Sequence, residues 1–147
     1  MKLALQLAAA ALFVSTALVT TAHAQVPYSQ GTVERVVLLH VNGGHSDALM
    51  ADLKKNAVPL WESEKAAGII VDYQIFLNQT TDGSDDWDIG YALIYKNMAA
   101  LDGLPDKVYD LRMKHYGSTE AEQKVIEKRV EHAHVVHSYL LRDITLR

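Results

Sequence analysis

With 147 residues, the chain has the length of a single domain. It contains no cysteine, which excludes a disulfide scaffold, a thiol nucleophile and a thiolate metal site. The formal net charge is −4 and no Lys/Arg block is present, so the sequence carries no footprint for nucleic acid.

Lys2 precedes an apolar run from Leu3 to Thr20, and Ala22-His23-Ala24 supplies a small-x-small cleavage site. Residues 1–24 therefore read as a cleavable secretory signal, which predicts a periplasmic or secreted protein. After cleavage no apolar segment is long enough to span a bilayer. Residues 25–32, Gln-Val-Pro-Tyr-Ser-Gln-Gly-Thr, read as a flexible polar leader. The folded domain is expected over residues 33–147.

The run Val36–Val41 predicts a strand with Val36, Leu38 and His40 on one face and Val37, Leu39 and Val41 on the other. Apolar residues on both faces suit a strand buried on both sides. Asn42-Gly43-Gly44 ends it. Ser46 is the expected N-cap of a helix reaching Ala67, with Leu49, Met50, Leu53, Ala57, Leu60 and Trp61 on its apolar side. Pro59 predicts a kink or restart near Val58. Strands are expected at Ile69–Leu77 and Trp87–Lys96, joined by a polar loop. A broken helical region follows, in pieces Met98–Asp102, Asp106–Tyr116 and a third piece opened by a Thr119/Glu122 capping box. The last strand is expected over Val135–Thr145. The order β-α-β-β-α-β predicts an α+β, ferredoxin-like fold: a four-stranded antiparallel sheet with its helices on one face.

The strand Val36–Val41, the helix Ser46–Ala67, the Trp87-Asp88-Ile89-Gly90-Tyr91 strand leading to Lys96-Asn97-Met98-Ala99-Ala100-Leu101, and the tail Val136-His137-Ser138-Tyr139-Leu140-Leu141 resemble the dimeric α/β-barrel superfamily, and its secreted bacterial members in particular. The resemblance covers residues 33–147. It implies a homodimer in which two sheets meet to form a barrel. The superfamily includes cofactor-independent quinol monooxygenases, haem-degrading enzymes, polyketide cyclases and chlorite dismutase-like haem proteins. No motif in this chain selects one of them, so no catalytic residue is carried over.

Candidate chemistry rests on polar residues that interrupt the apolar faces. His40 sits near the end of a buried strand, where it can act as a general base, or as a histidine that only satisfies a strand end. Tyr73 and Tyr91, on the apolar faces of the two middle strands, are expected to share a cavity with His40, with Trp61 as a further ligand-binding candidate. His132, His134 and His137 are the candidate metal or haem ligands, but they match no fixed metal frame. In an extended chain His132 and His134 share one face and His137 takes the other, whereas in a helix His134 and His137 converge. The expected function is binding of a small hydrophobic or aromatic molecule by a secreted homodimer that needs no cofactor. The alternatives are a cofactor-independent monooxygenase- or cyclase-like enzyme acting on an aromatic substrate, and a haem- or metal-binding protein.

Overall fold

The computed structural model describes residues 26–80, 83–84 and 86–147. The expected signal segment, residues 1–24, lies outside them. The elements run β1 (Tyr28–Val41), α1 (Ser46–Asp52), a π-helical turn (Leu53–Ala57), α2 (Val58–Ala66), β2 (Asp72–Leu77), β3 (Ile89–Tyr95), a 3₁₀ turn (Met98–Leu101), α3 (Leu104–Tyr116), α4 (Thr119–His132) and β4 (Ala133–Leu146). The strands form one sheet in the order β2-β3-β1-β4, and every neighbouring pair is antiparallel. This is the ferredoxin-like α+β arrangement expected from the order of elements.

Local chemistry explains the breaks in the helical stretches. Pro59 has no N–H to offer the carbonyl one turn earlier. The chain meets this by widening into the π turn just before α2, and α-helix restarts at Val58, as expected. Ser46 is not a cap, because α1 starts after His45 with no side-chain capping bond. At α4 the cap is Ser118, whose side chain accepts a hydrogen bond from the Ala121 N–H at 3.1 Å. The expected Thr119/Glu122 box does not form, because Glu122 turns inward to Arg112.

Part of the expected leader is strand. Tyr28 pairs with Leu146 and Ser29 with Thr145, so β1 and β4 form a long two-stranded arm. The polar composition of residues 28–32 hid this, because a partner strand at the far end of the chain supplies the hydrogen bonds.

The core lies between the sheet and α1–α2. Val33, Val37, Leu39, Ile89 and Tyr95 from the sheet meet Leu49, Leu53, Ala57 and Trp61 from the helices. Burying each such aliphatic side chain contributes about 1.5–3 kcal/mol. The opposite sheet face has no element of this chain over it among the described residues. Phe76 and Leu38 there lie directly over Gly90, where a Cβ would stand 2.3 Å from the Phe76 ring and 2.8 Å from Leu38. Tyr139 (44% exposed) and Leu141 (49% exposed) continue this face onto the edge strand β4.

Candidate functional site

Three aromatic rings converge where α2 crosses β2 and β3. Trp61 packs on Tyr73, with ring centroids 5.4 Å apart, and on Tyr91, at 5.0 Å. Tyr73 donates its hydroxyl to Glu62 Oε1 at 2.6 Å. Tyr73 and Tyr91 reach Trp61 because residues two apart on a strand share a face, and pairing sets Tyr73 opposite Leu93 and Ile75 opposite Tyr91. Glu64 stands three residues after Trp61 on the same side of α2, so the same packing draws a carboxyl inward.

A polar network adjoins this aromatic wall. Glu64 is 6% exposed and Tyr95 1% exposed. Among the described residues, neither the Glu64 carboxyl nor the hydroxyls of Tyr91 and Tyr95 has a hydrogen-bond partner. Burial raises the pKa of Glu64 and the nearby Arg112 guanidinium opposes the rise. Burial also raises Tyr91, against the opposing charges of Arg129 and Arg35. It raises Tyr95 in the same way, against Arg35. Arg112 Nε donates to Glu122 Oε1 at 2.6 Å, and Arg129 Nε donates to Asp52 Oδ2. The Nη2 of Arg129 is buried with no hydrogen-bond partner. Buried polar atoms are nearly always satisfied, and among the described residues Arg129 Nη2 is the one buried side-chain polar atom that is not. A surface groove of about 450 Å³ between α1 and α4, lined in part by Asp52, Lys55, Lys128 and His132, borders the Asp52 end of this network.

His40 is elsewhere. It shares a face with Leu38, as expected, but that face is the one turned away from Tyr73, Tyr91 and Trp61. The expected cavity common to His40 and the tyrosines does not exist: alternation along β1 and β3 sends them to opposite sides of the sheet. His40 Nδ1 lies 2.7 Å from the Asp86 carbonyl oxygen and 3.1 Å from Asp88 Oδ2. Both partners are acceptors, so Nδ1 carries a proton and donates it. Asp88 is itself held by the Val41 N–H at 2.7 Å.

The three clustered histidines separate. His132 is buried and its Nδ1 lies 2.9 Å from Nδ1 of His45, so one ring donates to the other. His134 stands opposite His40 across the β1–β4 ladder, with ring centroids 5.2 Å apart. His137 pairs with Leu38 and stacks on Tyr139, with centroids 5.5 Å apart. A register shift between Leu38 and Leu39 leaves Val136 unpaired, and this bulge turns His137 onto the same face as His134. Face-sharing by His132 and His134, expected for an extended chain, fails because the helix runs to His132. Among the described residues, no group of three or more His, Cys, Asp or Glu side chains is arranged to hold a metal ion.

Glu64, Tyr95, Arg112, Arg129 and Arg35 went unread as site residues. A signal existed for two of them. Glu64 follows Leu60 and Trp61 on an otherwise apolar helix side, and Arg129 sits among Val125, Ile126 and Val130. A charged residue inside an apolar stripe marks an inward-facing polar group.

No protein-family model matches the sequence, and no curated protein matches it. Solved structures do match. HapK from Hahella chejuensis is 9% identical, with 76% of this chain and 91% of that one covered, at a TM-score of 0.50. Protein SO0527 from Shewanella oneidensis is 16% identical, covering 80% and 97%, also at 0.50. A protein described as dimeric and ferredoxin-like, from an uncultured marine organism, is 13% identical, covering 81% and 98%, at 0.48. The likeness is one of fold.

Proposed function

We propose that this chain is an exported, homodimeric protein that binds a small aromatic molecule in a crevice that opens between the sheet and its helices beside Trp61, Tyr73 and Tyr91. The observation that carries this reading is the Trp61–Tyr73–Tyr91 aromatic cluster beside the buried Glu64, with Arg129 Nη2 buried and without a hydrogen-bond partner. Apolar walls supply affinity, and a few convergent polar groups fix orientation. Titration with naphthalene-based probes, followed by tryptophan fluorescence, tests it. Saturable quenching that weakens in Tyr95→Phe is the expected result. Absence of saturable binding for every probe contradicts the reading.

The homodimer is supported by the sheet face without a cover and by Tyr139 and Leu141 extending it along an unpaired edge strand. A contiguous apolar face of this kind is rarely left in water. Export is supported by the apolar run after Lys2 and the Ala22-His23-Ala24 site. Its test is the N-terminus of the protein recovered from the periplasm or medium, expected at Gln25. Among the described residues no helix is long and apolar enough to cross a membrane.

A second reading, a cofactor-independent enzyme acting on the same ligand, is favoured by Glu64. Burial raises its pKa against the opposing charge of Arg112, which suits a carboxyl placed to pass on a proton. Turnover of a bound aromatic substrate that disappears in Glu64→Gln, with binding retained, would select this reading over simple binding.

A further inference from the structure

The two edges of the sheet are built differently. The β2 edge is six residues long and begins at Asp72, which is tied to Lys65 at 2.7 Å. A short strand with a charge on it is poor at recruiting another chain. The β4 edge is long and mostly apolar. It runs 14 residues without proline or lysine, and its only strand neighbour among the described residues is β1. Its only acidic or guanidinium side chains are Arg142 and Asp143, adjacent and opposite in sign. The bulge at Val136 lies near its start. Beyond it, every residue from His137 to Leu146 is exposed. Alternation puts Tyr139 and Leu141 on one face and Leu140, Ile144 and Leu146 on the other, so apolar groups stand on both sides. The outer N–H and C=O groups of such a strand are a template for another strand.

We infer that this edge is covered by β4 of a second copy of the chain, paired antiparallel, with Leu140 meeting its own copy on the two-fold axis. This rests on the homodimer reading and names the strand through which the copies meet. A two-fold contact is self-complementary: where residue i meets residue j, j also meets i. Directly opposed residues on antiparallel strands share a face, so the register must join members of the same alternating set. Centring on Leu140 meets this requirement and matches the chemistry as well. Tyr139 then stands opposite Leu141 of the partner subunit, an aromatic–aliphatic pair on the open face. His137 stands opposite Asp143 of the partner subunit, an imidazole against a carboxylate. Symmetry makes each of these pairs twice. Centring on Tyr139 instead sets Asp143 against Val135 of the partner subunit. Centring on Leu141 sets Asp143 against Tyr139 of the partner subunit and Arg142 against Leu140 of the partner subunit. Both registers lose the match between His137 and Asp143, so charge complementarity selects the one centred on Leu140.

The chain has no cysteine, so a single introduced thiol can be oxidised only against its own copy. Opposed Cα atoms of an antiparallel pair lie about 4.5–5.5 Å apart, within the range a disulfide spans. Leu140→Cys and Ile144→Cys are both changes at exposed positions of β4. The register centred on Leu140 brings the two copies of residue 140 together and holds the two copies of residue 144 on opposite sides of the axis. The purified variants are left in air-saturated buffer at micromolar concentration, and the disulfide-linked dimer is followed on non-reducing gels. Leu140→Cys should cross-link about tenfold or more faster than Ile144→Cys, because thiols held together meet far above their bulk concentration. Equal rates overturn the inference. If the rates are equal while sedimentation shows a wild-type dimer, the copies meet elsewhere and the homodimer reading stands. If the rates are equal and the wild type is a monomer, that reading falls with the inference.

Discussion

Trp61 of α2 lies on Tyr91 of β3, with ring centroids 5.0 Å apart and planes inclined by 35°. The contact joins two parts of the molecule with different duties. On the Trp61 side it belongs to the core, with Leu53 and Ala57 from the preceding turn. On the Tyr91 side it adjoins Glu64, Tyr95 and the guanidiniums. Packing fixes the Tyr91 ring, while its hydroxyl has no partner among the described residues.

Tyr91→Phe removes that hydroxyl and nothing else. A hydroxyl that makes no hydrogen bond within the fold adds nothing to it, so thermal or urea unfolding should show stability unchanged or raised, by up to about 1 kcal/mol. Probe binding should weaken at the same time. A stability loss of about 2 kcal/mol or more would mean that the hydroxyl is bonded inside the folded protein.

The Glu64 carboxyl gives a pH dependence of definite sign. Burial raises its folded-state pKa above the ordinary 4.5. The native protein therefore holds this proton more tightly than the unfolded chain. That contribution to stability is complete below 4.5 and is lost as pH rises through the folded-state value. Glu64→Gln should be more stable than wild type at neutral pH, and the gap should shrink on acidification toward about pH 4. Urea unfolding at the two pH values measures it. A gap independent of pH would contradict the assignment.

Gly90 is the position where Phe76 and Leu38 come down onto the sheet. Gly90→Ala places a methyl at 2.3 Å from the Phe76 ring, which must swing away. Both neighbouring atoms are side-chain ends, so the cost should be that of moderate overpacking, about 1–3 kcal/mol by urea denaturation. A cost near zero would show that Phe76 does not rest on β3.

The open sheet face makes a prediction about assembly. Tyr139→Asp together with Leu141→Asp charges two exposed apolar positions whose β1 partners are Val36 and Glu34. Sedimentation should show the wild type as a dimer and the double variant as a monomer with its secondary structure intact. A wild-type monomer would remove the dimer proposal.

The sequence and the structure agree where the physics is local and periodic. Alternation in Val36–Val41 placed His40 beside Leu38, and the order of apolar runs read out the ferredoxin-like topology. They part where one residue changes the register. Val136 bulges and brings His137 onto the face of His134, whereas counting in twos sent it to the other side. The strand over Tyr28–Thr32 escaped notice because its partner is more than a hundred positions away, at residues 143–146. The crevice escaped because its polar groups come from four separate elements, and no spacing links Arg35, Glu64, Tyr95 and Arg129. Only a charged residue inside an apolar stripe betrays such a group, one element at a time.

The two tryptophans give the most direct test, because they mark opposite sites. Trp61 belongs to the aromatic cluster of the proposed binding site, while Trp87 packs edge-on against Phe76 of the open face, with ring centroids 5.7 Å apart. The two indole N–H resonances of ¹⁵N-labelled protein can be followed by NMR during titration with 2-naphthoate. Binding in the crevice predicts that the Trp61 signal shifts progressively to saturation while the Trp87 signal stays in place. A shift of Trp87 with Trp61 unmoved would place the ligand on the open face and contradict the account.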